Sequence, residues 1–144
     1  MSNDELLLSA PPAFARELED HLTAWSLRTG VRVEIWALPE EDLPGHVGDV
    51  VRDAIGDVLQ EMERRPGTRT VSLALTAAPS GLRLTIGADG DGAVGALEAR
   101  LGGRRAEFAR LGGALSVNGV PGEGTTVSAA VPRRPRGGWP GRVP

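Results

Sequence analysis

The chain of 144 residues is 40% hydrophobic and 24% charged, with a net charge of −3. That composition suits one globular domain with its own core, and it excludes a dedicated nucleic-acid binder, which needs clustered positive charge. Cysteine and lysine are both absent, which removes disulfides, thiolate zinc sites, thiol nucleophiles and Walker-type or Schiff-base lysines.

In chain order, residues 1–10 are expected to form a flexible N-terminus. They lack the basic start and cleavage signal of a secretory leader. No apolar run is long enough to cross a bilayer, so a cytoplasmic location is expected. Residues 11–28 predict a helix, with Phe14, Leu18, Leu22 and Trp25 at helical spacing and Gly30 as its stop. VRVEIWAL (31–38) alternates and is β-branched, which predicts a strand. The segment 46–65 predicts the clearest helix: Val47, Val50, Val51, Ala54, Ile55, Val58, Leu59 and Met62 form its apolar face. Asp49, Asp53, Asp57 and Glu61, each four residues after the last, form a stripe on its other side. Strands follow at 70–77 and 82–88, joined through Pro79-Ser80-Gly81. A Gly-rich stretch runs from Gly87 to Gly95. Residues 96–111 look helical but are interrupted by Gly102-Gly103. GALSVNGV and TTVSAAVP make a closing hairpin around PGEG, and residues 133–144 are an Arg/Pro/Gly-rich tail with the composition of a disordered segment. The element order implies an α/β (α+β) two-layer sandwich, with about three helices on one face of a mixed, mostly antiparallel five-stranded sheet.

TGVRVEI, VVRDAIGDVLQ, LRLTIGADGDG and LGGALSVNGVPGEGTTVSAAVP occur in this order between residues 11 and 132. Together they resemble the ATP-binding domain of sensor histidine kinases, a Bergerat-type ATPase fold shared with gyrase B and MutL. The likeness is strongest to the kinases that work with NarL/LuxR-type response regulators. It implies a single ATPase-like domain over 11–132, with ATP and Mg²⁺ as cofactors if the site works and none if it does not.

The resemblance assigns roles to particular positions. Asp53 takes the place of the N-box carboxylate that polarises the attacking group. Asp57 takes the place of the amide that holds Mg²⁺; an aspartate oxygen is also a hard ligand suited to that ion. The basic pair that meets the phosphates becomes Gln60 and Glu61. Asp89, Gly90 and Gly92 align with the first glycine box, and Thr125 with a threonine near the adenine. Ala88 stands where the adenine-reading aspartate belongs, and Asp89 would need a one-residue slip that reverses its direction in a strand. The second glycine box reads Glu98-Ala99-Arg100-Leu101, without either glycine, and the lid between the boxes is very short. FARELEDHL resembles the phosphoacceptor box, but Glu19 holds the histidine's place. His21 and His46 have no triad or metal spacing.

The acidic stripe has three readings: a solvated helix face, the wall of a vestigial pocket, or a working Mg²⁺ site. Like charges at this spacing oppose the helix mildly, so the scarcity of interleaved cations argues for a cation-facing or pocket-lining role. The leading expectation is a degenerate, stand-alone kinase-type domain that acts in bacterial signal transduction through a protein partner: a sensor kinase, a response regulator or a second copy of itself, as a homodimer. The competing expectation is an active Mg-ATP module, either a histidine kinase or an anti-sigma-type serine kinase.

Overall fold

Apolar spacing sets the helices and alternation sets the strands, and the computed structural model puts both where that pattern predicts. It describes residues 12–90, 94–120, 122–133 and 138–140. Among these, α1 spans Ala13–Thr29, β1 Arg32–Ala37, α2 Gly45–Glu63, β2 Thr70–Ala78 and β3 Gly81–Ala88. Two short helices, α3 (Val94–Arg100) and α4 (Gly102–Arg110), precede the hairpin of β4 (Ala114–Val120) and β5 (Gly124–Pro132). The expected third helix is therefore two. The chain turns at Leu101, just ahead of Gly102-Gly103, where helix propensity is poorest.

The five strands order as β1-β2-β3-β5-β4. β1 runs parallel to β2, and the other pairs are antiparallel. A parallel neighbour needs a crossover, and α2 supplies it between β1 and β2. The pairing of β1 shifts register between Ile35 and Ala37, and the skipped residue, Trp36, is left exposed on this edge strand.

One face of the sheet is apolar. Leu73, Leu75, Leu84, Ile86, Val117, Val127 and Val131 point into a core shared with Leu18, Leu22 and Trp25 of α1 and Val51, Ile55 and Leu59 of α2. Each such side chain contributes roughly 1.5–3 kcal/mol on burial. Phe108 of α4 and Leu97 of α3 close the far end. The other face carries small and polar groups, among them Arg83, Thr85, Ser116 and Thr126, all exposed. This is the two-layer α/β sandwich expected from the element order.

Glycine is required where β5 begins. Gly124 has φ +97°, and a Cβ there would run into the Ala88 carbonyl oxygen. Residues 138–140, within the segment expected to be a disordered tail, lie on the domain. The Trp139 ring sits under the Arg133 guanidinium, 4.3 Å from its centroid, and Nε2 of His46 lies 2.6 Å from the Pro140 carbonyl. The N-terminal ten residues lie outside the described residues.

Candidate functional site

The site is built on α2. Residues four apart rise one turn on the same helical face, so Asp49, Asp53, Asp57 and Glu61 form a single acidic ladder. Cations reach it from α3 and α4 as well as from α2 and its C-terminal end. Nε of Arg104, on α4, donates to Asp57 Oδ2 at 2.8 Å, and its Nη1 reaches Glu107 at 2.7 Å and Asp53 at 4.0 Å. Hydrogen bonds to Glu107 and then Asp57 hold this guanidinium proton more tightly than in an ordinary arginine, against a smaller opposing cost of burial. Arg100, at the end of α3, bonds Glu61 Oε1 through Nε at 3.2 Å and Gln60 Oε1 through Nη1 at 3.0 Å. Arg65 bonds the other Glu61 oxygen at 3.2 Å. At the helix start, Arg52 lies 3.4 Å from Asp49 and 3.6 Å from Glu17 while its guanidinium covers the Phe14 ring.

α3 and α4 thus act as a strap. Their arginines lie across the N-box face that the resemblance assigns to Mg²⁺ and phosphate. Arg105 ties the strap to the sheet, donating to the Leu115 carbonyl at 3.2 Å. A groove of about 510 Å³ remains beside it, between α1 and α2, lined by Glu17, His21, Asp53, Asp57, Gln60 and Arg104. Sequence reasoning missed Arg100 and Arg104 as partners of the ladder. Four acids with few cations among them were the signal that arginines elsewhere must meet them.

The glycine-box residues sit at the sheet end. The Asp89 carboxylate accepts from the backbone N–H groups of Arg69 at 2.7 Å and Thr70 at 3.0 Å, pinning the start of β2. Gly90 follows with φ +94° and packs close to the Gly67 carbonyl. Thr125 is buried and paired with Ala88 across β3 and β5, so these two positions do meet, with an alanine on one side. Gly92 lies outside the described residues. Glu98 and Ala99 are exposed on α3, whereas Leu101 is buried. Of the histidines, His21 is exposed on α1 and His46 is half-buried against Pro140.

The structure brings Asp53, Asp57, Gln60 and Glu61 into one row facing Arg100 and Arg104. It places Asp89, Gly90 and Thr125 together at the strand ends. Among the described residues, no three His, Cys, Asp or Glu side chains converge as a metal-binding group, and no helix is long and apolar enough to cross a membrane.

No protein-family model matches the chain, and no curated protein matches it. Solved structures do. One is the blue-light activated histidine kinase of Erythrobacter litoralis EL346, with a TM-score of 0.64 and 22% identity over 83% of this chain. A second is the histidine kinase domain of that protein, with a TM-score of 0.60 and 19% identity, again over 83% of this chain. The chain spans 41% of the first structure and 60% of the second. The fold is histidine kinase-like.

Proposed function

We propose that this chain is a degenerate histidine-kinase-type ATPase domain that works in signal transduction by binding a protein partner, with weak or no nucleotide binding. The single observation that carries the reading is the 2.8 Å ion pair between Arg104 and Asp57. In the resemblance, the Asp57 position holds the ion that bridges to the phosphates. Here its carboxylate already has a cation, covalently part of the same domain and therefore present at high effective concentration. Three further features support the reading. Glu61, in the place of a phosphate-binding cation, is buried and turned to Arg65 and Arg100. Ala88 offers no acceptor to an adenine amino group, a loss worth about 1–3 kcal/mol. Asp89, the nearest substitute, spends its carboxylate on two backbone amides. As arranged, these residues do not fit a magnesium nucleotide.

The partner classes are those the resemblance implies: a sensor kinase, a NarL/LuxR-type response regulator, or a second copy of the chain. Titration calorimetry with Mg-ATP and with a non-hydrolysable analogue tests the nucleotide half of the proposal. No binding tighter than millimolar is expected. Micromolar binding that Asp57→Ala abolishes would overturn it in favour of an active histidine or anti-sigma-type serine kinase module, with Asp53 polarising the attacking group. Light scattering on the purified chain tests the self-partner; a dimer that survives dilution assigns it.

A further inference from the structure

A second groove opens at the C-terminal end of α2, lined by Glu61, Arg64, Arg65, Pro66, Gly67, Thr68 and Gly90, with a volume of about 570 Å³. Its charge is unbalanced. The guanidinium groups of Arg64, Arg65 and Arg100 all converge on one carboxylate, Glu61, at 4.0, 3.2 and 3.2 Å. One negative charge faces three positive ones, so two remain uncompensated within this cluster. Arg64 is the least committed: its side chain is 69% exposed and its contact with Glu61, at 4.0 Å, is the long one. Thr68 adds an underused donor. It is buried, and its hydroxyl is partnered by the Met62 sulfur at 3.9 Å, a weak acceptor. Gly67 gives that wall no side chain and faces open space, so a ligand can approach the backbone closely there, while Gly90 packs against the Gly67 backbone.

We propose that this groove is an anion site for a phosphate group, free or as the ester of a small molecule. Arg64 and Arg65 would grip the phosphate oxygens. Buried Glu61 holds Arg65 and Arg100 in place without neutralising the cluster, and Thr68 would supply a hydroxyl donor. Guanidinium forks match phosphate oxygens in a bidentate arrangement, and two uncompensated positive charges match a dianion. The open volume suits a small molecule rather than a folded partner. The inference goes beyond the proposed function: it shares the Glu61 cluster with that reading but uses neither Asp53 nor Asp57. Failure of phosphate binding leaves the partner-binding reading intact, and Mg-ATP binding through Asp57 leaves this one intact.

The test is an NMR titration of the full chain with inorganic phosphate and with glycerol 3-phosphate, each against sodium chloride at matched ionic strength. Saturable shifts of the Thr68 and Gly90 amides are expected with at least one phosphate and not with chloride. Arg64→Glu should weaken binding at least tenfold and Arg64→Lys by less. Arg83→Glu, on the open sheet face, should leave it unchanged. Tighter binding of the ester would assign phosphate monoesters as the source, and equal affinity would assign the free ion. Shifts that chloride reproduces, no shifts at all, or binding that survives Arg64→Glu would each overturn the proposal.

Discussion

The two ends of the acidic ladder on α2 are chemically alike and structurally opposite. Side-chain exposure falls from 70% at Asp49 and 54% at Asp53 to 19% at Asp57 and 8% at Glu61. Helical spacing is the same throughout, so the helix itself does not make the difference. The upper end looks into solvent: Asp49 meets Arg52 from its own helix, and Asp53 has only a long 4.0 Å contact with Arg104. The lower end is roofed by α3 and α4, which bring Arg100 and Arg104, while Arg65 closes from one turn below. A carboxylate stripe is therefore not one feature. Its upper half is solvated surface and its lower half is a largely shielded ionic joint between α2 and the pair α3 and α4.

Removing Glu61 should break the comparison hardest. Glu61→Ala takes away the carboxylate on which Arg65 and Arg100 both depend. Breaking one side of a buried ion pair costs about 3–5 kcal/mol; because these arginines retain some solvent access, the low end of that range is expected, about 3 kcal/mol. Urea denaturation reads it as a lower midpoint. A cost near that of an exposed acid would put Glu61 with Asp49 and dissolve the distinction.

Arg104→Ala should come next, at about 1.5 kcal/mol, since it loses charge-assisted bonds to Asp57 and Glu107 in a partly exposed setting. A double-mutant cycle with Asp57→Ala sharpens the point: positive coupling between the two places the strap on the helix in solution, and simple additivity detaches it. Asp49→Ala should change stability by less than about 0.5 kcal/mol, because an exposed pair at 3.4 Å contributes little and is screened by salt.

Much of the fold was legible in the sequence because it depends on local pattern. The apolar repeat of α2 placed Ile55 and Leu59 in the core, and the alternation in β3 placed Leu82, Leu84 and Ile86 there too. Gly30 stops α1 with φ +77° in the left-handed conformation that favours glycine. The site was less legible, because its decisive contacts join residues far apart in the chain. Arg104 meets Asp57 across 47 residues and Arg100 meets Gln60 across 40. Nothing in local spacing encodes which guanidinium reaches which acid. The direction of Asp89 was hidden for the same reason: its partners, the amides of Arg69 and Thr70, belong to the far end of a hairpin. The split at Leu101 was half visible. Gly102-Gly103 marked a break, but whether the chain would stop or only turn depended on Leu101 and Phe108 being buried on either side of it.

Glu63 gives the smallest effect and the cleanest control on the ladder. It lies two residues beyond Glu61, hence on another side of α2, and is bound there from α1. Arg28 donates to both its oxygens at 2.9 and 3.0 Å, and the indole N–H of buried Trp25 donates at 3.1 Å. The hydrogen bond from Arg28, then that from Trp25, lowers its pKa below the ordinary 4.5, with desolvation opposing. A carboxylate depressed on folding stabilises the native state above its unfolded pKa. That stability is lost as pH falls through the folded value. Glu63→Gln keeps an acceptor for the Trp25 indole and removes only the charge. Relative to the parent, it should lose a little stability at neutral pH and none once the acid limb is passed, so the two stability curves converge on acidification. Added salt should narrow the gap at neutral pH, since Arg28 is largely exposed. A gap that persisted unchanged below the carboxylate range would mean that Glu63 acts through packing of Trp25 rather than through its charge, and the ionic joint would then be confined to the face that α3 and α4 cover.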